Sequence, residues 1–97
     1  MKQLVVYCSE DLEPQVVGSF DRHGAEGYLK IPRAVGAKFL EPEALPRTVS
    51  FDAIVLIVPG ASEATVAAVL KDLQDYAGKC EIQPCLRASV VNVERLV

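Results

Sequence analysis

The pattern of apolar positions predicts three strands that are easily recognised. Residues 3–8, QLVVYC, are a short apolar run rich in β-branched and aromatic side chains, which is typical of a central strand. Residues 51–58, FDAIVLIV, are nearly all apolar after their second position and predict another central strand. Residues 85–93, CLRASVVNV, predict the last strand of the chain.

A first helix is predicted from Leu12 to His23. We expect Asp11 to be its N-cap, because Pro14 would then stand at the third helical position, where a missing N–H forfeits no helical bond. Gly24 supplies the stop. The apolar stripe of this helix is Leu12, Val16 and Phe20, with Val17 beside it.

The second helix follows Ser62, which is its predicted N-cap, and ends at Gly78. Glu63 lies at the positive end of the helix dipole, where a carboxylate is favourable. One face carries apolar residues at helical spacing, namely Val66, Val69, Leu70, Leu73 and Tyr76.

The segment between the first helix and the second central strand is the hardest to interpret. Residues 27–35, GYLKIPRAV, alternate as a strand does, but proline is tolerated in a β-ladder only at an edge or a bulge, so Pro32 predicts an edge strand. Residues 36–50 carry glycine, charges and two further prolines, and we expect them to form a long loop.

The order β-α-β-β-α-β predicts an α+β, ferredoxin-like fold over residues 1–97: a four-stranded antiparallel sheet with two helices on one face. Counting strand directions brings Cys8, the 36–50 loop and the turn from Gly78 to Pro84 to one end of the sheet. His23 is expected at the opposite end. Loops held at one end of a rigid sheet commonly bind ligands, so the long loop is a functional candidate.

Composition narrows the functional class. The chain is 51% apolar with a mean hydropathy of +0.24, and this surplus of apolar side chains favours an oligomer. The formal charge is −3 and no basic run is present, which argues against nucleic-acid binding. The sequence shows neither a secretory signal nor a membrane-length apolar stretch, so we expect a soluble cytoplasmic protein with no membrane insertion.

The element order, the segment GAEGYLKIPRAVG before the loop, and the closing RASVVNVERL resemble the P-II signalling superfamily. The resemblance spans essentially the whole chain. It implies a homotrimer whose sheets face one another around an axis, with a small-molecule ligand in clefts between subunits. It also implies that the loop is the element that responds to the ligand. The leading hypothesis from the sequence is therefore a small regulator that senses a ligand and passes its state to a protein partner.

Two departures separate this chain from the nitrogen-regulatory members. After the second helix they carry a phosphate-binding loop resembling T-G-x-x-G-D-G-K, whereas this chain has AGKCEIQP, so the ligand or cofactor stays unassigned. Their modifiable loop tyrosine has no counterpart in residues 36–50. The CutA family has the same fold and trimer, but its characteristic tryptophans are absent here, since the chain has no Trp.

Cationic residues on the second strand, the loop and the last turn predict a site for an anion such as a nucleotide, phosphate or carboxylate. The alternative is ordinary solvated charge. The candidate ligand-binding residues are Arg33, Lys38, Arg47, Lys79 and Arg87.

The three cysteines, Cys8, Cys80 and Cys85, offer a second reading as a soft-metal or redox site in a CutA-like metal-tolerance protein. Their odd number and low density favour free thiols in a reducing compartment over disulfide-stapled secretion. The alternative to a metal or redox site is that Cys8 and Cys85 pack as small buried strand residues and that Cys80 is an exposed thiol. His23 could be a metal ligand, but a contact with the last carbonyls of its helix is favoured. With one histidine no catalytic constellation can be assembled, so we expect no enzyme.

Overall fold

A computed structural model describes residues 1–80 and 85–97. Within these residues the chain forms the predicted order of elements. The strands are β1 (Lys2–Cys8), β2 (Leu29–Phe39), β3 (Thr48–Ala61) and β4 (Leu86–Asn92); the helices are α1 (Glu13–Arg22), preceded by a 3₁₀ turn at Glu10–Leu12, and α2 (Glu63–Gly78).

The strands form one antiparallel sheet in the order β2-β3-β1-β4. This order confirms the ferredoxin-like arrangement, with β1 and β3 central and β2 at an edge. The ladder between β2 and β3 shifts register between Ile31 and Ala34, so Pro32 lies at a bulge, as a residue without an N–H requires.

The two faces of the sheet differ in what covers them. Alternate residues of the central strands are buried against the helices, and the core is Leu4, Val6, Cys8, Ile54, Leu56 and Val58 with Val16, Phe20, Val66, Val69, Leu73 and Leu86. The opposite face has no helix over it among the described residues. That open face carries large apolar side chains such as Leu29 and Val91, which are 60% and 50% exposed.

The second helix begins as predicted. The hydroxyl of Ser62 accepts a hydrogen bond from the backbone N–H of Thr65 at 3.1 Å, which satisfies one of the donors that a helix N-terminus leaves unpaired. Neither described helix is long and apolar enough to cross a bilayer.

The start of the first helix was predicted wrongly. Asp11 is not its N-cap, because Glu10–Leu12 form a 3₁₀ turn closed by a bond from Leu12 N–H to the Ser9 carbonyl, and α1 begins only at Glu13. Pro14 therefore lies in the first turn, where its missing N–H costs nothing. The stop at Gly24 is confirmed by a φ of 86°, which favours glycine.

The length of the long loop was also predicted wrongly. Residues 36–39 continue β2 and residues 48–50 begin β3, and the two strands pair as far as Phe39 opposite Thr48. The connection is therefore only 40–47, at the tip of a hairpin. This hairpin, residues 34–53, extends from the end of the sheet that carries Cys8, because Cys8 pairs with Ile54 at its base.

Candidate functional site

A charged cleft lies at the base of the hairpin, between the start of α1 and the bulge of β2. Its volume is about 620 Å³. Lys30 and Glu13 form an ion pair across it at 2.7 Å, and the hydrogen bond from Lys30 to Glu13 raises the pKa of the lysine. The lining residues are Glu10, Glu13, Lys30, Pro32, Arg33, Val35, Asp52, Ala53 and Ile54. Of the five predicted ligand-binding cations, Arg33 alone is in this lining.

Two more of the predicted cations, Lys38 and Arg47, lie on the hairpin. Lys38 is opposite Val49 in the ladder and points to the open face of the sheet. Arg47 donates a hydrogen bond to the Leu40 carbonyl and lies over the Phe39 ring, 5.8 Å from its centroid. The Leu40 N–H donates back to the Arg47 carbonyl at 2.8 Å. Arg47 therefore holds the tip of the hairpin together in this structure.

The remaining two, Lys79 and Arg87, do not lie on the hairpin: Lys79 is the C-cap residue of α2, and Arg87 is on β4, the edge strand opposite β2. Lys79 follows the last residue of α2, and its N–H donates to the Tyr76 carbonyl at 3.2 Å. Arg87 is exposed on β4, opposite Tyr7. Since β3 and β1 separate β4 from β2, three strand spacings of roughly 14 Å lie between Arg87 and the hairpin. One copy of the chain does not gather the five cations around one ligand.

The cysteines differ from the expectation of free thiols. Cys80 and Cys85 form a disulfide with a Cα–Cα distance of 6.3 Å, and Cys8 alone is a free thiol. Sulfurs joined in a disulfide are not thiolates and do not bind Zn(II) or Cu(I) as thiolates do. Among the described residues no group of three metal-ligating side chains comes together. The predicted site of Cys8, Cys80 and Cys85 is therefore not assembled in this state.

Cys8 is in the wrong environment for a ligand or a nucleophile. Its side chain is buried against the helices, and burial, aided by the charge of Glu13, raises the pKa of its thiol to about 11. Such a thiol stays protonated near neutral pH, whereas the thiolate is the reactive form. Packing as a small apolar residue, the alternative reading from the sequence, fits Cys8.

A polar cluster that the sequence did not predict joins the two helices. One carboxylate oxygen of Asp72 on α2 accepts hydrogen bonds from Ser19 Oγ at 2.7 Å and Arg22 Nη2 at 2.5 Å, and lies 2.8 Å from His23 Nε2. These bonds, the one from Ser19 foremost, lower the pKa of Asp72 from 3.8 to about 2. The cluster is held between α1 and α2 and lies outside the hairpin and its cleft.

His23 was expected to contact the last carbonyls of α1, and its ring does not do so. It lies against Asp72, which is 49 residues further along the chain. The backbone of His23 also ties the helices, because its carbonyl accepts from Thr65 Oγ1 at 2.9 Å. This contact places His23 at the N-terminal end of α2, away from Cys8, as the direction count predicted.

The predicted gathering of segments at one end of the sheet is confirmed where the structure describes them. Ser9 N–H donates to the Cys85 carbonyl at 3.0 Å, and the hairpin leaves the sheet from the same end. The turn predicted from Gly78 to Pro84 lies partly outside the described residues, since 81–84 are not among them.

No family model matches the chain, and no curated protein matches it. Solved structures do match. The ATP complex of GlnK from B. subtilis superposes with a TM-score of 0.77 at 8% identity, covering 96% of this chain and 82% of that one. CPII from Thiomonas intermedia, a nitrogen regulatory PII-like protein bound to ADP, AMP and bicarbonate, gives 0.66 at 16% identity, with coverages of 99% and 94%.

A third similar structure is a putative PII-like signalling protein from Thermus thermophilus, with a TM-score of 0.62 at 24% identity, covering 95% of this chain and 85% of that one. At these identities the likeness concerns the fold. The fold is that of the PII-like proteins, as the resemblance in the sequence implied, and the agreement runs through nearly the whole chain.

Proposed function

We propose that this protein is a PII-like regulator that senses a small anionic ligand in clefts between the subunits of a homotrimer and signals to a protein partner. The observation that carries the proposal is the position of the charged cleft at the base of a long hairpin, in a chain with the PII-like fold. Ligands named with the similar structures, ATP, ADP, AMP and bicarbonate, give the chemical class to test.

The open face of the sheet supports an assembly. Leu29 and Ile31 on β2, Val49 on β3 and Val91 on β4 are 43–60% exposed on that face. Contiguous exposed apolar surface is typical of a protein–protein contact, because burying it is favourable by roughly 25 cal/mol of free energy per Å² of apolar area. A face-to-face arrangement of identical sheets would cover it.

The distance between the candidate cations supports an anion-binding site to which two neighbouring subunits contribute. Arg33 and Lys38 lie near one edge strand and Arg87 on the opposite edge strand, too far apart to hold one small anion together. Packing one copy beside another in a closed ring would bring unlike edges of neighbouring subunits close to each other. Arg33 and Arg87 from neighbouring subunits would then share a ligand, and arginine forks suit phosphate or carboxylate oxygens.

The exposed side chains of the hairpin support the proposal that the protein binds a protein partner. Phe39 is 75% exposed and Leu45 at the tip is 95% exposed, while Glu41 and Glu43 stand between them. Apolar side chains on a protruding element with a polar surround are common in interaction sites. The ligand cleft at the base and the exposed tip belong to one element, so occupation of the cleft has a direct route to the partner surface.

Isothermal titration calorimetry with ATP, ADP, AMP and bicarbonate tests the ligand. We expect at least one of them to bind, and Arg33→Ala to weaken binding at least tenfold, since a charge-assisted hydrogen bond contributes about 1.5–3 kcal/mol. Arg95→Ala is the matched control, because Arg95 is an exposed arginine beyond the far end of β4. No heat from any of the four, with an intact fold, would remove the sensor proposal.

A further inference from the structure

We propose that Cys80 and Cys85 are a reversible thiol–disulfide site, which ties the end of α2 to the start of β4 when oxidised and releases it when reduced. The reagent class is a dithiol as reductant and a small-molecule disulfide as oxidant. Nothing in the anion-binding proposal requires such a site, and the geometry of the pair is independent of any ligand.

The pair is placed for local control. The Cα atoms are 6.3 Å apart, within the range that a disulfide spans without moving the backbone, and the two residues are five positions apart in sequence. The stabilisation from a disulfide grows with the length of the loop that it closes, so a loop this short adds little to the whole fold. Neither cysteine is among the buried residues that form the core, so opening the bond leaves the core intact.

The exchange has a defined order. Both cysteines are half-buried, and Cys85 is packed against the core cluster, which leaves the Cys80 sulfur as the one to be attacked. A thiolate of the dithiol forms a bond to Cys80 Sγ, the Cys80–Cys85 bond breaks, and Cys85 leaves as a thiolate that takes a proton. The second thiol of the dithiol then closes its own disulfide and releases Cys80, which takes the second proton.

The reduced state is also accommodated. Cys80 Sγ lies 3.5 Å from the Tyr76 carbonyl oxygen, which would accept a hydrogen bond from the S–H of a reduced Cys80. Cys8 does not interfere with the pairing, since its buried thiol stays protonated and does not attack the disulfide. The chain therefore has two defined states of one cysteine pair rather than a mixture of three pairings.

The consequence of the switch is local to the end of the sheet that carries the cleft. The Cys85 carbonyl accepts the hydrogen bond from Ser9 N–H, and Ser9 leads directly into Glu10 of the cleft. Lys79 and Arg87 flank the disulfide in sequence. Oxidation thus fixes the spacing of two candidate cations and one wall of the cleft; its effect on ligand affinity rests on the proposed function.

Mass spectrometry after alkylation of the folded, full-length protein tests the site itself. In a buffer poised with oxidised glutathione we expect no adduct, and with excess dithiothreitol two adducts that disappear on reoxidation. The Cys8→Ser variant should give the same numbers of adducts in the two buffers. The Cys85→Ser variant cannot form the Cys80–Cys85 bond, so we expect one adduct at Cys80 in either buffer, except on molecules whose Cys80 has formed a mixed disulfide with glutathione. Thiols that stay alkylatable under the oxidising buffer, or a pair that opens only when the protein unfolds, would overturn the proposal.

Amide hydrogen exchange reports the structural effect. On reduction we expect the Ser9 amide to exchange roughly tenfold faster, because its acceptor is released, while the amide of Val6 in the centre of the sheet changes less than about twofold. Equal acceleration at both amides would mean that the disulfide stabilises the whole fold and not this end of the sheet alone. No change at Ser9 would mean that the disulfide does not control the structure at this end of the sheet.

Calorimetry in both redox states separates this inference from the proposed function. Binding that differs at least threefold between oxidised and reduced protein supports the control of affinity, and equal binding overturns that control. Silence with every ligand in both states would remove the sensor while the alkylation result still decides the redox site. Lys71→Gln, a change of exposed charge on α2, serves as the control that should bind as the unaltered chain does.

Discussion

The body of the molecule, which is the sheet outside residues 34–53 together with α1 and α2, and the hairpin of residues 34–53 share antiparallel strand pairing. They are stabilised by different interactions. In the body, alternate strand residues such as Leu56 are fully buried against the helices. In the hairpin, Val35 and Phe39 are on the same helix side of the sheet, yet they are 74% and 75% exposed, because the helices do not reach that far. Burial stabilises the body, and ladder bonds with a few local contacts order the hairpin.

This difference shows how one sheet can supply both a rigid frame and an exposed hairpin. Phe51, whose ring stacks on Tyr7 with centroids 6.2 Å apart, is the packing link between the two regions. Gly36 lies under the same ring, since a Cβ there would be 2.3 Å from it. The hairpin is thus anchored at its base, while its tip depends on Arg47 and Phe39.

The largest effect should come from the centre of the body. Leu56→Ala removes a fully buried side chain from β3 and should cost about 2–5 kcal/mol in the free energy of unfolding. Leu45→Ala at the tip of the hairpin should change it by less than about 0.5 kcal/mol, because that side chain is 95% exposed. Urea denaturation of both variants measures the contrast, and similar losses would show that the hairpin is not energetically separate.

A smaller effect is expected at the link. Gly36→Ala forces the Phe51 ring away from Tyr7 and should cost about 1 kcal/mol, the order of one aromatic pair. Gly18→Ala in α1 is the opposite control: apart from its chain neighbours and the backbone of its own helix, no atom lies within 4 Å of the added Cβ, and alanine should stabilise the helix by about 0.5–1 kcal/mol. If the clash is the cause, Gly36→Ala should cost nothing further in a Phe51→Ala background. An undiminished cost in that background would remove this explanation.

Acid should loosen the helices of the body before it affects the hairpin ladder. The folded state holds the pKa of Asp72 at about 2, below its ordinary 3.8, so its bonds stabilise the protein above pH 3.8 and are lost as the pH falls toward 2. Asp72→Asn should lower the melting temperature at pH 6 and flatten its fall between pH 4 and 2. Asp75→Asn, on the exposed side of the same helix, is the control, and an equal flattening there would contradict the assignment.

Local signals predicted much of the body. The cap at Ser62, the stop at Gly24 and the edge position of β2 indicated by Pro32 each depend on one or a few neighbouring residues, and all three are confirmed. The start of α1 was missed because a 3₁₀ turn and an α-helical first turn tolerate the same residues. The strand character of residues 36–39 and 48–50 was missed because glycine, charge and exposure suggest a loop, whereas antiparallel pairing needs no burial.

The side-chain contacts of the candidate site were harder to predict from the sequence, because the residues that meet are far apart along the chain. His23 and Asp72 are 49 positions apart, and no pattern within either helix points to the other. The five cations were grouped by their expected end of the sheet, but strand order separates Arg87 from the hairpin. Cys80 and Cys85 had a spacing that permitted pairing, and only their placement in three dimensions distinguishes a disulfide from two thiols.

The central claim is that copies of this chain form a ring whose clefts hold an anion. A native mass spectrum of the full chain, recorded with and without ATP, ADP, AMP and bicarbonate, tests it most directly. The account predicts a mass of three times 10.5 kDa with up to three bound ligands. A monomer or dimer that carries the ligand, or a trimer to which none of the four adds mass, would contradict it.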